Sequence, residues 1–172
     1  MSLSDRNVRE KDFHNKLQSA SKGRFENIFY KAIYNSNEDF FEFLKLNSLN
    51  SEILDYGCGV GDSIRKVSYF NPKKITGIDI SEVSINKAKK KVLDLKSNVE
   101  LSVDNCEKTK FQDNIFDIVY GTGILHHLDI KICLEEVHRI LKKGGKFLFI
   151  EPLGTNPLIN IYLSLIHISE PT

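Results

Sequence analysis

From Leu46 onward, short apolar runs alternate with longer amphipathic stretches. Runs rich in Ile, Val, Leu and Phe at Glu52–Tyr56, Ile75–Ile80, Val99–Val103, Ile115–Tyr120 and Lys146–Ile150 predict five strands. Between them, helical spacing predicts helices over Asp62–Phe70, Ser81–Leu95 and Asp129–Lys142. Ser81 and Asp129 stand at N-cap positions, and Gly144-Gly145 follows "HRILKK" as a helix stop. In the last helix Ile130, Leu134, Val137 and Leu141 predict one buried stripe. Ahead of this region, apolar positions from Phe25 to Leu44 predict one or two amphipathic helices, with Asn35-Ser36-Asn37 as a break. Residues 1–22 are polar and mixed in charge, and read as a loosely ordered arm.

Strands and helices that alternate with short links predict a parallel sheet covered on both faces, a doubly wound α/β fold. Ligands of such folds sit beyond the carboxyl ends of the strands, where the strand order switches. At 172 residues the chain holds one ordinary domain. With 24 basic and 23 acidic residues, it offers no electrostatic case for nucleic acid or an anionic membrane. Lys142-Lys143 reads as a solvated helix end. No apolar run approaches the ~20 residues of a membrane span, and the N-terminus has no signal-peptide pattern. Cys58, Cys106 and Cys133 are widely spaced. They predict neither disulfide framework nor metal site, and fit a cytoplasmic protein. Cys133 reads as a small core residue.

The stretch "EILDYGCGVGD" carries the chemistry. Glycine at alternate positions after a strand lets a ligand approach the backbone. No Gly-Lys-Ser/Thr follows, which excludes a nucleoside triphosphate loop. Gly57, Gly59 and Gly61 place the third glycine one residue early for a dinucleotide fingerprint. Asp55 and Asp62 bracket the loop, and their charge would oppose a pyrophosphate while suiting a cationic ligand. Asp79, at the end of the second predicted strand, is placed to accept from both hydroxyls of a ribose. The alternatives are a tight turn for Gly57 and Gly59, and a helix N-cap for Asp79.

The segments "ILDYGCGVG", "ITGIDIS", "VDNCEKTKFQDNIFDIVYGTGILHHL" and "HRILKKGGKFLFIEP" resemble the successive motifs of class I S-adenosylmethionine-dependent methyltransferases, in order and in spacing, from Glu52 to about Pro152. The resemblance implies a Rossmann-like sheet of strand order 3-2-1-4-5, a helical cover at residues 23–48 and a cofactor domain at 49–162. It implies S-adenosylmethionine as cofactor and a small-molecule methyl acceptor. Asp55, Gly57, Cys58, Gly59 and Gly61 would surround the methionine part, and Asp79 would bind the ribose diol. Ile80 would pack on adenine. Asn105, where the family has Asp, would accept from the adenine amino group, with Cys106 beside it. Gly121, ending the fourth strand, would offer its carbonyl to the methionine ammonium. His126 and His127 are the candidate bases near the methyl, against the alternative of histidines that only pack or brace the loop. Two other classes stand beside this reading, a nicotinamide-dependent oxidoreductase and a non-catalytic cofactor-binding module.

The family's sheet continues past "FIEP" with a helix and two more strands. Here Leu163–Thr172, "LSLIHISEPT", resembles the translation of a sequencing-library adapter. The expectation is therefore a truncated domain with a non-native tail at residues 163–172.

Overall fold

The computed structural model describes residues 8, 9, 11, 12, 15, 34–95 and 97–151. The predicted tail, the residues after Glu151 and the predicted helix from Phe25 to Ile33 lie outside the described residues. After helix α1 (Tyr34–Asn47) the order is β1 (Glu52–Tyr56), α2 (Asp62–Val67), β2 (Lys74–Asp79), α3 (Glu82–Lys91), β3 (Val99–Val103), β4 (Phe116–Thr122), α4 (Ile130–Ile140) and β5 (Leu141–Ile150). Short 3-10 turns follow α2 at Ser68–Phe70 and β4 at Leu125–His127.

The strands form one sheet in the order β3-β2-β1-β4-β5, every neighbouring pair parallel. The sheet is central and apolar because both faces are covered. Alternation along β1 sends Ile53 to one face, where Phe40 and Leu44 of α1, Ile64 and Val67 of α2 and Ile85 of α3 pack. It sends Leu54 and Tyr56 to the other face, against Cys133, Val137 and Ile140 of α4. Full burial of a side chain such as Leu44 contributes about 2 kcal/mol. The strand order changes direction at β1, so the carboxyl ends of β1 and β4 diverge into a crevice.

Several local expectations are corrected. Asn35–Asn37 is helical and interrupts nothing, because the burial of Phe40 and Leu44 outweighs a few tenths of a kcal/mol of propensity. Val8, Arg9, Lys11, Asp12 and Asn15, in the supposedly loose arm, have helical backbone, and Asn15 Oδ1 meets the Ser81 hydroxyl. Helix α3 stops at Lys91, not Leu95, since Val92 leaves the helical region and Leu93 is exposed. Ser81 and Asp129 do cap α3 and α4.

The buried stripe of α4 is Cys133, Val137 and Ile140, with Glu136 beside it; Ile130 is 55% and Leu134 39% exposed. Val137 and Leu141 of the predicted stripe are buried, and so is Cys133, read from the sequence as a small core residue; docking on the sheet turns only Ile130 and Leu134 outward. Helix α4 ends at Ile140, and Leu141 already belongs to β5. Gly144-Gly145 is therefore no helix stop. It lies in an irregularity of β5, where Phe116 pairs with Leu141 but Ile118 pairs with Lys146. Lys142 is correspondingly no solvated helix end, for its Nζ pairs with Asp117 at 2.9 Å.

Candidate active site

The glycine loop leaves β1 at the crevice and enters α2. Gly57 has φ +78° and Gly59 φ +52°, left-handed conformations that favour glycine. The Gly57 and Cys58 N–H groups both donate to the Ile78 carbonyl, at 3.0 and 2.8 Å, so the loop is tied to the end of β2. A Cβ on Gly57 would lie 2.6 Å from Ile124, which packs over it. A Cβ on Gly59 would meet nothing within 4 Å. Gly57 thus serves close packing, and Gly59 borders open space.

Asp79 fastens the loop from the other side. Its Oδ2 accepts from the Gly59 N–H at 2.9 Å, and its Oδ1 from the Ser81 N–H at 2.8 Å. Ser81, not Asp79, is the N-cap of α3. Burial raises the Asp79 carboxyl, against the effect of those two N–H donors and of the nearby His127. Each carboxylate oxygen retains acceptor capacity for a further hydroxyl.

Asp55 is 1% exposed, at the register position beside Tyr120 of β4. Its Oδ2 and the Tyr120 hydroxyl have no hydrogen-bond partner among the described residues. Burial pushes the Asp55 carboxyl up to about 8; the adjacent phenol opposes the rise, though outside hydrogen-bond geometry, and the charge of Asp79 adds to it. A buried acceptor with nothing to accept from is costly, and a cationic ligand group would satisfy it.

The turn after β3 forms a third wall. Asn105 Oδ1 accepts from the Glu107 N–H at 3.0 Å, so the amide oxygen expected at the ligand already braces its own turn. Asp104 Oδ2 accepts from the Lys110 N–H at 3.0 Å, closing the same loop. Buried Glu136 accepts from the Thr109 N–H at 2.8 Å and is bound in turn by Arg139, at 2.9 and 2.6 Å. Arg139 also reaches the Phe111 carbonyl at 2.8 Å. The wall is fixed to α4 by this network. Cys58 and Cys106 are buried, with thiols pushed well up by burial, so they are spacers rather than nucleophiles.

Beyond β4, the Ile124 and Leu125 N–H groups both donate to Glu151 Oε1 at 2.8 Å. The Nδ1 atom of His126 lies 2.7 Å from Glu151 Oε2. The rings of His126 and His127 are 3.9 Å apart between centroids. Gly121 is buried inside β4, opposite Phe149, and does not end the strand.

A family model described as a methyltransferase domain matches residues 54–149, more than half of the chain. The chain belongs to this family. The methyltransferase domain is 37% identical over 116 residues to a ubiquinone/menaquinone biosynthesis C-methyltransferase of Rickettsia prowazekii, covering 63% of this chain and 47% of that protein. It is 29% identical to phosphoethanolamine N-methyltransferase 3 of Arabidopsis thaliana, over 88% of this chain and 33% of that protein. The chain thus spans a third to about half the length of these curated relatives. Among solved structures, an S-adenosylmethionine-dependent methyltransferase of Aquifex aeolicus matches with TM-score 0.55 and 29% identity, over 61% of this chain and 57% of that one. Geranyl diphosphate C-methyltransferase of Streptomyces coelicolor shares the fold, with TM-score 0.71 at 16% identity, over 97% of this chain and 73% of that one.

In the methyltransferase domain, Asp55, Gly57, Gly59, Gly61, Asp79, Ile80, Asn105, Gly121, His126 and His127 all come from the carboxyl-terminal ends of strands or the turns after them. Sequence reasoning missed Tyr120, Ile124 and Glu151. All three lie within the resembling segments, but nothing in those segments marks their roles, and the partner of Glu151 lies 25 residues back. Among the described residues no cluster of His, Cys, Asp and Glu is arranged to hold a metal, and no helix is long and apolar enough to cross a membrane.

Proposed function

We propose that this chain carries the cofactor half of an S-adenosylmethionine-dependent methyltransferase acting on a small-molecule acceptor. The observation that carries the reading is the pairing of a buried Asp55, whose Oδ2 has no partner among the described residues, with open space over Gly59, at the loop where the methyltransferase family match begins. Asp62 is paired with Lys91, but a dinucleotide would still bring a pyrophosphate to a loop flanked by Asp55 and Asp79; a sulfonium nucleoside amino acid brings an ammonium and a ribose diol instead. Asp55 then receives the ammonium, and Asp79 accepts from the diol while keeping its two backbone donors. Gly57, Cys58, Gly59 and Gly61 line the methionine part. Ile80 flanks the adenine, and Asn105 and Cys106 meet its edge.

The bound cofactor supplies an intrinsically electrophilic methyl group. The chain's part is to align an acceptor in line with the carbon–sulfur bond, exclude water and receive a proton where the acceptor must lose one, with His126 and His127 as the candidates. The named acceptors of its relatives support a small molecule. Thermal shift with S-adenosylmethionine, S-adenosylhomocysteine and NADH tests the cofactor. Stabilisation by the first two and not by NADH is the expected result; the reverse would reinstate an oxidoreductase. Release of S-adenosylhomocysteine with an acceptor panel separates an enzyme from a binding module.

A further inference from the structure

Glu151 lies near the end of the segment "HRILKKGGKFLFIEP" without a role in the cofactor site assigned to it, yet its two oxygens organise the turn above that site. Oε1 takes both the Ile124 and Leu125 N–H groups, and Oε2 faces His126 Nδ1. Ile124 is the side chain packed on Gly57, and His127 is close enough for its charge to act on Asp79. The turn that Glu151 holds is therefore the roof of the glycine loop. We propose that Glu151 is a positioning residue for methyl transfer, which fixes this roof and presents His126 as a proton acceptor through Nε2.

The direction of the imidazole follows from donor and acceptor capacity. Although burial raises the Glu151 carboxyl, the bonds from His126, Leu125 and Ile124 outweigh it and hold the group below its ordinary value. It is then ionised and can only accept, so in the neutral imidazole Nδ1 carries the hydrogen and Nε2 the lone pair. The His126 side chain is 34% exposed, open to an incoming molecule. Resting on the methyltransferase reading, this defines the acceptor class as one whose reacting atom bears an ionisable proton, such as a phenol or enol hydroxyl. In the balanced step the acceptor's electron pair forms the bond to the methyl carbon, the carbon–sulfur pair returns to sulfur, and the acceptor's proton passes to Nε2.

The test is long-range proton–nitrogen NMR of the histidine rings, at a pH where they are neutral and without ligand. His126 should be predominantly the Nδ1–H tautomer. In Glu151→Gln, the amide oxygen can keep the two backbone donors while its NH2 turns to Nδ1, so the ring should switch to Nε2–H. Affinity for S-adenosylhomocysteine should stay within about twofold in that variant. It should fall roughly tenfold in Glu151→Ala, which frees the roof by removing two hydrogen bonds to a charged group. A wild-type ring that is mainly Nε2–H, or a tautomer unchanged in Glu151→Gln, would overturn the proposal. The tautomer is read without cofactor, so its failure is distinct from failure of the methyltransferase reading, which would appear as no binding by the wild type.

Discussion

Replacing Asp55 by Asn should make the domain more stable and less able to bind its cofactor. In the unfolded chain this carboxyl ionises near its ordinary 3.8, whereas the folded protein holds its proton up to about 8. Between those values the folded state binds more protons than the unfolded state, so stability falls as pH rises through the window. Below it both states are protonated and the group contributes nothing. Above it the whole penalty applies, roughly four units at 1.36 kcal/mol each, or about 5–6 kcal/mol. At pH 7 about three units have accumulated, or ~4 kcal/mol. Asparagine has the same shape and no ionisation, so it removes the penalty but leaves an amide to satisfy, which costs about 1–3 kcal/mol. The Tyr120 hydroxyl, without a partner among the described residues, is available to it. The net expectation is a gain of about 1–3 kcal/mol at pH 7, read by urea unfolding from pH 5 to 9. Over pH 5–7.5 the wild-type free energy should fall more steeply than the variant's, by up to about 1.4 kcal/mol per pH unit. Binding of S-adenosylhomocysteine by calorimetry should weaken in the variant, because asparagine cannot give up a proton to meet the ammonium with a charge. Parallel pH profiles for the two proteins would refute the assignment of Asp55 as a strained, ligand-directed acid.

Asp79→Asn should weaken cofactor binding by ~1.5–3 kcal/mol in a titration, the scale of hydrogen bonds to a charged group, while Asp79→Ala should lose more because it also releases the Gly59 N–H. Unchanged affinity in both folded variants would remove the ribose role. Gly59→Val should abolish binding with the sheet intact, since its side chain enters space that no protein atom fills, although φ +52° will cost some stability. Circular dichroism and calorimetry together check this, and normal binding would mean the glycine serves only the turn. Asn105→Asp should tighten binding modestly if its side chain meets the adenine amino group; weaker binding would indicate that its contact with the Glu107 N–H is its whole role.

The strands, their parallel arrangement and the loop after β1 were legible in the chain because they depend on local quantities: apolar runs about five residues long, glycine spacing, and acids at strand ends. The caps Ser81 and Asp129 were legible for the same reason, as a cap bonds only two or three residues ahead. Packing decided the remainder. On α4 the burial of Val137 and Cys133 was legible, but only contact with β1 and β4 added Ile140 to the core and left Ile130 and Leu134 partly exposed. The meaning of Gly144-Gly145 changed from helix stop to strand irregularity once β5 had to pair with β4 at both ends. Asp55 could be read as an acid at a loop, but its strain exists only because the fold buries it beside Tyr120 and removes water. Glu151 and His126 are 25 residues apart, and no pattern in either segment points to the other. They meet because adjacent parallel strands end at the same edge of the sheet, a consequence of topology that local sequence does not encode.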